Sequence, residues 1–127
     1  MPGLRLYKKE KLCSPTAIDR LFDRNSGSDS AVEYPLRAVW RPDNERFSDA
    51  PLAFVISVPK KRIRHAVDRV TLRRRIREAY RLSHHQYPVA DGQRLDVAFI
   101  YIADKPKNYA SIARAVNALL SKITKHD

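Results

Sequence analysis

Arg69, Arg73, Arg77 and Arg81 follow one another at intervals of four residues, with Arg74 and Arg75 between them. On an α-helix turning about 100° per residue, Arg69, Arg73, Arg77, Arg81 and Arg74 share an arc of roughly 140°. Arg75 falls elsewhere, beside Glu78 and Leu82. Guanidinium chemistry suits such an arc to one kind of ligand. The planar fork pairs with two oxygens of one phosphate and also stacks on bases. Like charges four residues apart oppose the helix by a few tenths of a kcal/mol each. A face made only for solubility mixes signs, and this arc carries no acid. Phosphates would neutralise it.

The residues before the arc add to its field. "KKRIRH" contributes Lys60, Lys61, Arg62 and Arg64. From Lys60 to Arg81 there are ten Lys or Arg and two acids, Asp68 and Glu78; ten minus two places +8 of the chain's net +11 in that stretch. A polyanionic partner is implied, nucleic acid first and an anionic membrane surface second. Neutralising about six phosphates predicts that log K falls with log salt at a slope of about −5.

Other candidate chemistry is thin. His84 and His85 are adjacent, so on a helix they diverge by about 100° and chelate one ion poorly. Asp91, Asp96 and Asp104 flank the last strand signal without acid–base spacing, and turn or cap roles account for them. Cys13 is the one cysteine, which excludes an internal disulfide and a thiolate metal cluster. No nucleophile–base pair is recognisable, so the chain is not expected to cleave RNA by itself.

Positioning these residues requires a fold. The 127 residues, 43% of them hydrophobic, suit a single domain, 1–127, with one modest core. The opening "MPGLRLYKKEKL" has no apolar run of a secretory signal, and no stretch approaches the ~20 apolar residues of a membrane span. A cytoplasmic protein without membrane contact is expected. "SPTAIDRLF" reads as a helix, with Ser14 as cap and Pro15 at its first position. "VEYPLRAVW" reads as a strand, with Leu36, Ala38 and Trp40 on one face and Arg37, Val39 and Arg41 on the other. "LAFVISV" reads as a strand covered on both faces, and the two would form a hairpin with a long tip. The basic block follows as a helix over "AVDRVTLRRRIREAYRLS", with Leu72, Ile76, Ala79 and Ser83 as its core face. "RLDVAFIYIA" is a strong strand signal. "NYASIARAVNALLSKITKH" has helical period, with Asn108 as cap and Ile112, Ala115 or Val116, Leu119 and Ile123 buried. The order makes a small α+β sandwich.

"FVISVPKKRIRHAVDRVTLRRRIREAYR" resembles the signature region of the protein subunit of bacterial ribonuclease P. That family carries a strand ending Ser-Val-Ser-Lys-Lys, then Ala-Val, then Arg-Asn-Arg-x-Lys-Arg-x-x-Arg-Glu-Ala-Phe-Arg. Ser57, Val58, Lys60, Lys61, Ala66 and Val67 match, with Pro59 for the second serine. Arg69, Arg73, Arg74, Arg77, Glu78, Ala79, Tyr80 and Arg81 fall in register, Arg73 and Tyr80 as conservative replacements. Val70 and Thr71 stand where the family has Asn and Arg. "LYKKEKLCSPTAIDRLFDRNSG" and "LDVAFIYIADKP" resemble its N-terminal segment and last strand more loosely.

The resemblance implies an α-β-β-β-α-β-α fold with a left-handed βαβ crossover, against the usual right-handed rule. It implies the accessory protein subunit of an endoribonuclease that removes the 5′ leader from precursor tRNA, the catalytic part being RNA. Mg2+ would be bound mainly by RNA, the protein alone needing no cofactor, and the protein would be monomeric. Lys60, Lys61, Arg62, Arg64, Arg69, Arg73, Arg74, Arg77 and Arg81 would bind the RNA subunit. Ile18, Phe22, Arg37 and Val39 would line the cleft for the precursor tRNA leader. A non-enzymatic RNA-binding module, such as a ribosome-associated protein, is the alternative. A helix-turn-helix DNA binder is disfavoured because strands flank the arginine helix.

Overall fold

The computed structural model describes residues 29–42, 52–87 and 95–124. The helix expected over "SPTAIDRLF", and with it Ile18, Phe22 and Cys13, lies outside them, as does Asp91. The elements are β1 (Asp29–Glu33), β2 (Leu36–Pro42), β3 (Leu52–Ser57), α1 (Ala66–Ser83), a 3-10 turn (His84–Gln86), β4 (Leu95–Tyr101) and α2 (Tyr109–Ile123). The architecture is α+β: a mixed four-stranded sheet with both helices on one face.

Strand pairing corrects one expectation. "VEYPLRAVW" is not one strand. Val32 and Glu33 end β1, Tyr34 and Pro35 form the turn, and β2 begins at Leu36. The hairpin is therefore β1–β2, closed by the pair Glu33 and Leu36. β2 and β3 are not partners. The order β1-β2-β4-β3 inserts β4 between them, antiparallel to β2 and parallel to β3. β4 takes the central place because, Asp96 apart, its residues are apolar on both faces, and all but Ile100 are buried. β3 is an edge strand instead, buried at Leu52–Phe54 and half-buried beyond. Its parallel pairing with β4 makes α1 the crossover helix.

The alternation expected in β2 holds. Leu36 and Ala38 join Leu52, Phe54, Val97, Phe99 and Tyr101 in the main core beneath the helices. Val39 joins Ala53 and Ala98 in a smaller cluster on the opposite sheet face, with Val55 and Ile100 against it. Asp96 also departs from expectation: it does not flank β4 but is its second residue, fully buried, with Arg41 and Ala53 as register partners.

α1 has the expected extent, and α2 lies within the segment expected to be helical, ending at Ile123. In α2, Asn108 Oδ1 accepts from the Ser111 backbone N–H at 2.9 Å, and Ile112, Ala115, Val116, Leu119, Leu120 and Ile123 are buried. In α1, Leu72, Ile76, Ala79 and Ser83 are buried as expected, but so is Tyr80. Its ring packs 4.3 Å from Phe54 and 6.3 Å from Phe99, centroid to centroid, and stacks on His84 at 4.9 Å. The buried arc of α1 is thus wider than the aliphatic residues alone indicate. Arg69, about 20° from Ile76 by the same ~100° step, lies at its edge.

Candidate nucleic-acid interface

The basic surface has two parts, the loop Pro59–His65 and the outer face of α1. The loop is built from within. The backbone N–H groups of Arg62 and Ile63 donate to the Pro59 carbonyl at 3.0 and 3.1 Å, closing a turn. Ile63 is buried and anchors the loop in the core. Arg69 Nη1 donates to the carbonyls of Ile63 at 3.0 Å and Arg64 at 2.9 Å. Arg62 pairs with Asp104 at 3.0 Å. Lys60, Lys61 and Arg64 are left exposed on a loop held from three directions.

The arginine arc does not act as one uniform set. Arg73, Arg74 and Arg77 lie on the outer face, and among the described residues none has a carboxylate within ion-pairing distance. Arg69 is half-buried and committed to the two carbonyls. Arg81 is paired with Glu78; its Nε donates to Oε2 at 3.1 Å and its Nη2 donates to Oε1. That hydrogen bond holds the Glu78 carboxyl below the usual carboxylate range. Arg75 serves the fold as well. Its Nη1 donates to the Lys107 carbonyl at 2.7 Å, tying α1 to the segment before α2. Six expected RNA-facing cations therefore remain without a carboxylate partner among the described residues: Lys60, Lys61, Arg64, Arg73, Arg74 and Arg77.

Val70 lies on this outer face, 41% exposed, and Val67 is more exposed still. Thr71 Oγ1 donates to the Val67 carbonyl at 3.0 Å. The two positions that depart from the signature thus offer a methyl surface and a hydroxyl whose proton is used by the helix itself.

The other proposed contacts are distributed differently. Arg37 is exposed on the sheet face away from the helices. Val39, on the same face, is only 7% exposed, packed with Ala53 and Ala98. It is a wall of that face more than a platform on it. His84 Nδ1 lies 3.1 Å from the Tyr80 carbonyl and 3.2 Å from that of Arg81, closing the end of α1. Among the described residues no group of three or more His, Cys, Asp or Glu could hold a metal ion, and no helix is long and apolar enough to cross a membrane.

The Ribonuclease P family pattern matches residues 6–124. The chain belongs to the ribonuclease P protein family. It is 33% identical over 125 residues to the ribonuclease P protein component of Porphyromonas gingivalis strain W83, covering 96% of this chain and 88% of that protein. The corresponding protein of strain ATCC 33277 is 33% identical over 121 residues, covering 93% and 85%. The fold is shared with the Staphylococcus aureus RNase P protein: TM-score 0.70 and 18% identity over 90% of this chain and 94% of that one. A mutant of the S. aureus protein, described as defective in mRNA degradation activity, superposes with TM-score 0.69 and 19% identity over 91% and 88%. As a ribonuclease P protein component, the chain is part of an endoribonuclease complex built with RNA.

Proposed function

We propose that this chain binds the RNA subunit of ribonuclease P through the loop Pro59–His65 and the outer face of α1, and assists removal of the 5′ leader of precursor tRNA. The observation that carries the reading is the set of six cations without a carboxylate partner among the described residues, on a loop and a helix already locked together by Arg69. Phosphate contacts of this kind fix position and orientation without reading sequence. Preorganisation matters because ordering a loop on binding would subtract from affinity.

The leader would run along the sheet face opposite the helices. Arg37 supplies an exposed cation there, and Val39, Ala53 and Ala98 supply an apolar floor. Ile18 and Phe22 are proposed as the stacking side of the same cleft. Hydrolysis belongs to the RNA, with Mg2+ held mainly by its phosphates, and the protein acts as a single copy that contributes binding.

The test is to add the protein to the RNA subunit and precursor tRNA at low magnesium. Stimulated 5′ maturation supports the proposal, and Arg73→Glu with Arg77→Glu should abolish the stimulation. RNA binding with no stimulation would assign the chain to a non-enzymatic RNA-binding role.

A further inference from the structure

A second cationic surface lies away from the arginine arc, where the β1–β2 turn meets the segment 104–108. Its aromatic member is Tyr34, 63% exposed at the turn. The ammonium of Lys107 sits 5.5 Å from the centre of its ring. Lys105 is exposed beside it in sequence, and Pro106 separates the two lysines.

Both loops are held from beneath. The Tyr101 side chain is fully buried, and its hydroxyl donates to the Lys105 carbonyl at 2.7 Å. The same oxygen accepts from the Lys107 backbone N–H at 2.9 Å. Arg75 Nη1 donates to the Lys107 carbonyl at 2.7 Å. Across the gap, the Pro35 carbonyl accepts from the Ile102 N–H at 2.9 Å, which fixes the Tyr34 turn to the end of β4. The neighbouring carboxylates are engaged elsewhere. Glu33 faces Lys122 at 3.5 Å, and Asp104 faces Arg62 at 3.0 Å. An exposed ring and two lysines are thus displayed by rigid backbone with no uncommitted acid beside them among the described residues.

We propose that Tyr34, Lys105 and Lys107 form a docking site for an unpaired nucleotide of single-stranded RNA, the base stacking on Tyr34 and the phosphate pairing with the lysines. A π-face beside ammonium groups is the combination that binds single strands without demanding a sequence. An acidic peptide would use the lysines and leave the ring idle. The site is separate from the arc: Arg75, which supports it, faces the flank of α1 away from Arg73. The inference rests on the reading that this chain works on RNA, and adds a second point of attachment.

The experiment uses the full chain and a fluorescently labelled oligouridylate, with photocrosslinking from a thio-substituted uridine. Tyr34→Ala should weaken oligouridylate binding about fivefold or more, and Tyr34→Phe, which keeps the ring, should leave it intact. Lys105→Ala with Lys107→Ala should weaken it further and flatten its salt dependence. Crosslinks should map to Tyr34. Unchanged binding by Tyr34→Ala, or displacement by polyglutamate as effective as by oligouridylate, overturns the site while leaving the arc's role standing, provided Arg73→Glu with Arg77→Glu still abolishes binding to folded RNA. Failure of the wild-type chain to bind either RNA overturns both readings.

Discussion

The guanidinium of Arg69 donates to the carbonyl oxygen of Arg64 at 2.9 Å, so the first arginine of the arc organises the loop that precedes it. Together with its bond to Ile63, this makes Arg69 the joint between the two halves of the basic surface. The arrangement separates two roles that a count of charges merges, contacting phosphate and holding the residues that contact it.

Arg69→Lys should therefore be more damaging than a charge-conserving change suggests. Both bonds come from Nη1, whose two N–H groups are fixed in the guanidinium plane, whereas a lysine ammonium is a rotating point donor. We expect a loss of about 1–2 kcal/mol in urea denaturation, scaled for the partial exposure of the site. Amide exchange should rise across residues 60–65, and RNA affinity should fall although net charge is unchanged. Unaltered exchange in that loop would refute the role.

Glu78→Gln should strengthen RNA binding. Glu78 now occupies Arg81, whose hydrogen bond holds the carboxyl below the usual carboxylate range. A carboxyl lowered in the folded state contributes its attraction above the unfolded pKa and loses it as pH falls through the lower folded value. The pair therefore persists throughout the neutral range. Removing the carboxylate takes one negative charge from beside the arc, so RNA affinity should rise, and the gain should shrink as salt is raised. Titrating binding against salt for both proteins checks this.

Arg73→Ala and Arg77→Ala should each reduce that slope by about 0.9 if each arginine neutralises one phosphate of a duplex. Neither should affect folding, since both side chains lie on the outer face of α1, away from its buried residues. Thermal melts alongside the salt titration would distinguish lost contacts from lost structure.

Tyr101 should set an alkaline limit to stability. Burial pushes its phenol up, partly opposed by the hydrogen bond from Lys107. A group whose folded pKa is raised contributes stability that is complete below the unfolded value and lost as pH rises through the folded one. Urea midpoints for the wild type should therefore drop above about pH 10, and the drop should be smaller for Tyr101→Phe. Near neutrality Tyr101→Phe should cost about 1–2 kcal/mol, because the Lys107 N–H loses its acceptor.

What could be read along the chain was what depends on neighbours in sequence. The span Ala66–Ser83, the Asn108 cap and the two faces of β2 follow from local periodicity and capping, which need no knowledge of distant segments. The signature from Ser57 to Arg81 likewise placed the basic surface and the family. Tertiary structure decided what depends on contacts distant in sequence or on small rotations about a helix axis. β4 displaced the expected β2–β3 pairing because a strand apolar on both faces loses most by remaining at an edge. Tyr80 of α1 went inside because Phe54 and Phe99, contributed by β3 and β4, pack against its ring. The arc divided because the carbonyls at 63 and 64 lay within reach of Arg69 and the carboxylate at 78 within reach of Arg81, while on the flank the carbonyl at 107 took Arg75. A guanidinium offers five donors on a long stem and bonds whatever acceptor the fold brings near; sequence spacing can place it on a face without specifying that acceptor.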